Sequence, residues 1–228
     1  MAYRKKAYFI LTHKPDILIV PECEHPDKLR FNINTPIPTD ILWYGINQNK
    51  GLAVFSFSNY RLKLLDIHNA EIKTILPIRV TGGAFDFTLL AIWAYNPQDP
   101  HYKYIGQVWK AIEYYESLLR SEKVIIAGDF NSNVIWHKLK RRITHTMVIE
   151  KFKTLNIFST YHAHLNIGQR IEEHPTYFMY RHLNRSYHID YCFASADLIE
   201  KVEAIEIGTY EQWTKYSDHS PLMISFTE

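Results

Sequence analysis

Short apolar runs separated by turn-forming residues recur along most of the chain, and this pattern predicts strands. Two antiparallel pairs are expected, one between residues 41–44 and 52–57 and the other between residues 71–80 and 85–95. The same kind of pattern predicts further strands at residues 16–20, 124–127, 188–193, 202–207 and 222–226.

Three segments instead carry apolar residues every three or four positions, the spacing of one helix face. The clearest covers residues 102–123, a second covers residues 144–155, and a short one at residues 3–11 ends before Pro15. Many hairpin-connected strands with a few separate helices favour an α+β fold. In such a fold two mainly antiparallel sheets pack together and helices flank them.

Composition limits the possible architectures and compartments. With 228 residues, 46% of them hydrophobic, and no Gly/Ser/Pro-rich linker, the chain is expected to form one domain over residues 1–228. Cys23 and Cys192 both lie in apolar segments, which favours two reduced thiols over a disulfide. No apolar run has the length of a membrane span, and the first residues lack a signal-peptide pattern. We therefore expect a cytoplasmic monomer without a membrane partner.

Polar side chains stand at the ends of the predicted strands. An unpaired carboxylate beside so apolar a strand is costly to bury, so these groups are expected to gather around a metal ion or a phosphate. Oxygen ligands of this kind suit Mg²⁺, and a carboxylate or imidazole near them can activate water for phosphodiester hydrolysis. The residues concerned are Glu22, Tyr95, Asp129, Asn131, Asp190, Asp218 and His219.

Taken singly, several of these residues have simpler interpretations. Asp129 and Asn131 could be turn formers after a strand, and Glu24 reads as an exposed acid at a strand end. Asp190 is harder to explain in this way, since an acid within an apolar strand needs a partner, and His219 is the natural one. Taken together, the residues favour a catalytic site.

Four motifs carry a family resemblance: Pro-Asp-Ile-Leu-Ile-Val-Pro-Glu at 15–22, Gly-Asp-Phe-Asn at 128–131, His-Ile-Asp-Tyr at 188–191 and Ser-Asp-His-Ser-Pro at 217–221. In this order they resemble the endonuclease/exonuclease/phosphatase superfamily, which includes exonuclease III-like abasic-site endonucleases, DNase I and sphingomyelinases. The resemblance spans essentially the whole chain. It implies a four-layer αββα sandwich.

The resemblance also implies a role for each candidate residue. Glu22 would be the main Mg²⁺ ligand, with Asp218 on the metal side, and Mn²⁺ is a possible substitute for Mg²⁺. Asp129 would activate or position the attacking water beside Asn131. The remaining roles concern the phosphate: Asp190 would orient His219, which contacts the scissile phosphate, and Tyr95 would lie near the phosphate or the leaving group.

The beginning of the chain departs from the family pattern. Family members carry a first strand that ends in a Trp-Asn-x-Asn-like segment, which should lie immediately before Met1 and is absent. We therefore expect either that Met1 is an internal methionine of a longer protein or that the chain is clipped; upstream codons without this segment would contradict the expectation. A smaller departure is Pro21, where the family commonly has glutamine.

The predicted function is a Mg²⁺-dependent phosphodiesterase, a nuclease with DNA as the favoured partner. The basic run at 137–142 could contact a nucleic-acid backbone or be a solvated face, and residues 177–181 could line a cleft or pack in the core. A net charge of +2 is low for a dedicated DNA surface, so a hydrolase of small or lipid phosphoesters stays open. So does a binding protein with a decayed site. The loops at 96–101, 133–146 and 162–174 are expected to select the substrate.

Overall fold

The computed structural model describes residues 3–32, 35–95, 98–99, 101–120, 123–136 and 142–227. The strands are β1 (Ile17–Cys23), β2 (Asp40–Asn47), β3 (Lys50–Ser56), β4 (Arg61–Leu64), β5 (Ile75–Thr81), β6 (Phe87–Trp93), β7 (Val124–Asp129), β8 (Ile157–Ser159), β9 (Tyr177–Phe178), β10 (Ser186–Tyr187), β11 (Asp190–Ser195), β12 (Val202–Ile207) and β13 (Leu222–Phe226). The α-helices are α1 (Ala7–Ile10), α2 (Ile105–Tyr114), α3 (Glu116–Leu119), α4 (His145–Lys153), α5 (Thr160–Leu165), α6 (Ala196–Ile199) and α7 (Tyr210–Trp213).

The larger sheet has six strands in the order β4-β5-β6-β7-β11-β8. Its neighbouring strands are antiparallel, apart from the parallel pair β6–β7. A parallel pair requires a crossover connection, and α2 and α3 lie in the chain between β6 and β7. The predicted pairing of β5 with β6 is confirmed.

A second group of strands, β1-β3-β2 together with the hairpin β12–β13, packs against the larger sheet. Apolar side chains of both groups form one buried cluster between them. A second cluster joins α2 and α4 to the outer face of the six-stranded sheet, and a third joins α1 and Trp213 of α7 to β1 and β3. Two helical layers thus enclose two sheet layers, which confirms the predicted α+β sandwich.

Two predicted helices are interrupted. The helix expected at 102–123 begins at Ile105 and breaks at Tyr115, whose hydroxyl accepts a hydrogen bond from the Asn69 N–H at 3.0 Å. Near the start, α1 is flanked by 3-10 turns at Tyr3–Lys5 and Leu11–His13. The expected end before Pro15 is confirmed.

Strand β1 extends one residue beyond its predicted finish at Pro21 and Glu22. It continues through Pro21 and Glu22 to Cys23, and its pairing with β3 is irregular between Val20 and Cys23. Pro21 has no N–H to donate, and Glu22 has a positive φ of 58°. This bulge gives the Glu22 side chain a direction that strict alternation along the strand would not give.

Two predictions about buried groups have different outcomes. Cys23 and Cys192 are both free and buried, which confirms two reduced thiols. The prediction that Glu24 is exposed is wrong. Its side chain is 3% exposed, because it accepts the Tyr3 N–H at 2.7 Å and pairs with Arg4 at 2.6 Å.

Among the described helices none is long and apolar enough to cross a membrane.

Candidate active site

Asp129 ends β7 at a point where the backbone leaves little room. The preceding Gly128 has φ +139°, and a Cβ at this position would lie 1.9 Å from the Ile92 carbonyl oxygen on the parallel strand β6. Only glycine allows this close approach. The close approach of the strands at Gly128 places Asp129 in a buried position, where the residue is 5% exposed.

Asn131 fixes the orientation of the Asp129 carboxylate. Its backbone N–H donates to Oδ1 of Asp129 at 2.8 Å, and its side-chain Nδ2 donates to Oδ2 at 2.8 Å. Asn131 has a φ of +48°, a left-handed conformation that asparagine tolerates better than most residues. The turn after β7 therefore both holds Asp129 and occupies one acceptor position on each oxygen.

Asp190 lies directly opposite Asp129 because β11 pairs with β7 in the register Asp190↔Asp129. The predicted partner is present: Nδ1 of His219 lies 2.9 Å from Oδ2 of Asp190. Thr176 supports this strand end, since its hydroxyl accepts the backbone N–H groups of Ile189 and Asp190, both at 3.0 Å.

The loop that carries Asp218 and His219 is held by the β9 segment. The Phe178 N–H donates to the Asp218 carbonyl oxygen at 2.8 Å, and the Ser220 N–H donates to the Thr176 carbonyl oxygen at 2.8 Å. The Tyr177 ring lies against the His219 ring, with centroids 4.8 Å apart. Residues more than 40 positions upstream thus set where His219 points.

The site sets opposite charges side by side. Burial, together with repulsion from Asp190, raises the pKa of Asp129 to about 7, against the opposing effects of His219 and the Asn131 N–H. Burial alone would lower the pKa of His219, but attraction by Asp190, the hydrogen bond to it, and the charges of Asp129 and Asp218 raise it to about 9. His219 is therefore a cation at neutral pH.

Glu22 and Tyr95 lie on a second side of the site, where Lys50 joins them. Lys50 Nζ is 2.8 Å from Oε1 of Glu22 and lies 5.1 Å from the ring centroid of Tyr95 and 5.2 Å from that of Trp93. The two rings stack at 4.7 Å. Sequence reasoning missed Lys50 because only the pairing of β3 with β1 places it beside Glu22.

The donor set suits a hard divalent cation. Asp129, Asp190 and His219 each offer a ligand atom, and these atoms lie within 4.8 Å of one another. A charged imidazole has no free lone pair, however, and Asp190 is committed to it through the 2.9 Å contact. Two carboxylates remain. The charge of Glu22 raises the pKa of Asp129, and that of Asp218 raises the pKa of His219. Both carboxylates therefore belong to the site and are the better candidate ligands.

The residues predicted around the site fall into three groups. Tyr177, Tyr180 and Arg181 line an open depression of about 420 Å³ together with Asp218, whereas Phe178 is buried in the core. Residues 137–141 of the basic run lie outside the described residues. The loop expected at 162–174 begins within α5 in the structure, because His162 lies in that helix. His162 is buried and lies 3.2 Å from Glu172, which favours a structural role for it.

Comparison with solved structures gives the same fold at low sequence identity. An AP endonuclease from Archaeoglobus fulgidus is 18% identical, with a TM-score of 0.70 over 99% of this chain and 95% of that chain. A 3'-5' exonuclease from Neisseria meningitidis is 17% identical, with a TM-score of 0.67 over 99% and 96%. An AP endonuclease from Leishmania major is 14% identical, with a TM-score of 0.69 over 96% and 80%.

Sequence comparison identifies the family. No curated protein sequence matches the chain. The profile described as Endonuclease/Exonuclease/phosphatase family matches residues 7–219, a span that includes Glu22, Asp129, Asp190 and His219. The chain therefore belongs to the endonuclease/exonuclease/phosphatase family.

Proposed function

We propose that this protein is a Mg²⁺-dependent phosphodiester hydrolase that cleaves DNA. One observation carries the proposal: the Asp190–His219 pair, 2.9 Å apart, lies next to a buried Asp129 that Asn131 holds by two hydrogen bonds. A charged imidazole and an oriented carboxylate at one site are the two groups that water attack on a phosphodiester requires.

Each residue of the site has a distinct role in this proposal. Asp129 accepts a proton from the attacking water, and Asn131 fixes the carboxylate in place. His219 donates a hydrogen bond to a non-bridging phosphate oxygen through Nε2, because its Nδ1 is committed to Asp190. Asp190 thereby sets the orientation of the ring and keeps it charged.

The metal side of the site is assigned to Glu22 and Asp218. Glu22 and Asp218 would hold Mg²⁺, or Mn²⁺ in its place, and the ion would supply positive charge to offset that of the phosphoryl oxygens and the leaving oxygen. Tyr95 lies on the same side as Glu22, across the Lys50 ammonium group, and is assigned to the leaving-group region. The carboxylate of Glu22 already attracts a cation in the form of Lys50, which supports this assignment.

DNA is the proposed substrate on two grounds. Solved relatives are described as AP endonucleases and as a 3' phosphatase bound to a product DNA hairpin. Beside His219, the open depression lined by Tyr177, Tyr180 and Arg181 offers aromatic faces for bases and a cation for a phosphate. The protein is proposed to act as a single-domain, cytoplasmic monomer.

Hydrolysis of nicked, abasic and single-stranded DNA with Mg²⁺ tests the proposal. Asp129→Ala is expected to abolish metal-dependent cleavage, whereas the matched control Asp66→Ala, at an exposed aspartate between β4 and β5, keeps it. An unchanged rate in Asp129→Ala would remove Asp129 from the mechanism. Cleavage of small phosphodiesters but of no DNA would keep the hydrolase and overturn the substrate.

A further inference from the structure

Lys6 reaches the site from the opposite end of the chain. It lies immediately before α1, and its Nζ donates a hydrogen bond to Oγ of Ser217 at 3.3 Å. The same Ser217 oxygen accepts the His219 N–H at 3.2 Å. The ammonium group of Lys6 is thus one hydrogen-bonded atom away from the loop that carries Asp218 and His219.

The charges around Lys6 are those of the site. Burial lowers its pKa, and the carboxylates of Asp218, Asp190 and Glu22 oppose that change. Among the described residues no carboxylate forms an ion pair with Lys6, in contrast to Lys50, whose ammonium group is paired with Glu22 at 2.8 Å. The Lys6 charge is therefore attracted by the acidic groups without being committed to one.

An ammonium group has three N–H donors, and among the described residues Ser217 is the only hydrogen-bond partner of the Lys6 ammonium group. Ser217 is 3% exposed and Lys6 is half-buried, so the contact between them is partly shielded from solvent. Two N–H donors on a cation beside His219 are well suited to an oxygen of a phosphate group.

We propose that Lys6 is a further substrate-binding residue that donates hydrogen bonds to a non-bridging oxygen of the phosphate held by His219. This inference rests on the proposed function. It adds a second group of N–H donors to that of His219, and it gives the residue that precedes α1 a part in binding the phosphate. Lys50 differs because it is engaged with a proposed metal ligand.

Lys6→Met removes the charge while keeping an unbranched side chain. The matched control is Lys5→Met, at the neighbouring, exposed lysine. We expect Lys6→Met to weaken binding of a labelled abasic duplex at least about tenfold in EDTA, since hydrogen bonds to charged groups are among the stronger ones. Lys5→Met should stay within about twofold, because an exposed charge is screened by salt. Fluorescence anisotropy gives both affinities without cleavage.

Two further measurements distinguish binding of the phosphate by Lys6 from a purely structural role of its contact with Ser217. Lys6→Arg should restore most of the DNA affinity, because the guanidinium group retains the charge and the N–H donors. Calorimetry should show that Lys6→Met binds Mn²⁺ at least as tightly as the wild type, since a neighbouring positive charge is gone. Loss of Mn²⁺ binding in Lys6→Met would show a displaced loop and overturn the proposal.

The two levels of inference fail in different ways. If the wild type cleaves DNA and Lys6→Met matches Lys5→Met in DNA affinity, the role of Lys6 is overturned and the nuclease stands. If the wild type neither binds nor cleaves DNA, the proposed function itself is overturned.

Discussion

At the scale of single residues, Asp190 acts on His219 through one hydrogen bond and one charge. Asp190→Asn would keep the shape of the side chain and remove the charge that raises the His219 pKa to about 9. We expect the His219 pKa to fall, because burial then dominates, and cleavage to slow by about 10²-fold or more. NMR titration of the imidazole and steady-state rates check the two effects. A His219 pKa that stays near 9 would assign the upward shift to Asp129 and Asp218 instead.

Gly128 is the residue at which backbone geometry admits no substitution. Gly128→Ala combines a φ of +139° with a Cβ 1.9 Å from the Ile92 carbonyl oxygen. We expect it to lower the free energy of unfolding by at least about 2 kcal/mol, since β6 and β7 must separate to accept the methyl group. Gly168→Ala, where a Cβ meets only a side-chain atom at 3.8 Å, is the control in urea denaturation. Equal midpoints would contradict the steric argument.

Sequence reasoning succeeded for residues whose motif is contiguous and failed for those that depend on register. Asp129 with Asn131, and His219 beside Asp218, stand within short motifs, and Asp190 called for a partner because its strand is apolar. Lys50 and Lys6 gave no such signal. Their neighbours come from the pairing of β3 with β1 and from a contact 211 residues apart in sequence.

At the scale of elements, α4 begins with a histidine in an apolar environment. Both ring nitrogens of His145 lack a hydrogen-bond partner within the part of the chain that the structure describes, and the ring packs 4.8 Å from that of Tyr191. Burial lowers the His145 pKa to about 3; attraction from Glu172 opposes the shift, and His162 and His188 reinforce it. The folded protein therefore keeps this ring neutral in weak acid, whereas the unfolded chain protonates it below its usual pKa of about 6.5.

The sign of the resulting pH dependence follows from linkage. Because folding lowers the His145 pKa, the stability that the neutral, buried ring contributes is fully present above about pH 6.5. That contribution is lost as the pH falls towards 3. Lowering the pH from 7 to 5 should reduce the free energy of unfolding by about 2 kcal/mol through His145. His145→Phe should remove that loss, as urea midpoints at the two pH values would show. A variant with the same acid dependence as the wild type would show that His145 does not cause it.

Element boundaries were predictable where one pattern ran to its end. The strands β12 and β13 match the predicted residues, because apolar positions continue up to turn residues on both sides. The irregular pairing of β1 after Val20 and the break at Tyr115 were not predictable. Both depend on partners elsewhere, the β3 strand in one case and the Asn69 backbone in the other.

At the scale of the whole molecule, the layers keep the two thiols apart and away from solvent. Cys192 lies in the cluster between the sheets, and Cys23 lies in the cluster under α1 and α7. Burial raises the pKa of Cys192 to about 12, and it also raises the pKa of Cys23. We expect neither thiol to react with Ellman's reagent in the folded protein and both to react in guanidinium chloride. Reaction of one thiol under native conditions would reveal local opening of its layer.

The register that pairs Asp129 with Asp190, and the loop that adds His219, have a consequence for synthesis. Both carboxylates are made before the imidazole that pairs with them, since His219 follows Asp190 by 29 residues. A chain synthesised only as far as Asp190 therefore has the two carboxylates without the His219 cation. Under the proposed function, such an unfinished copy would be unable to cut DNA.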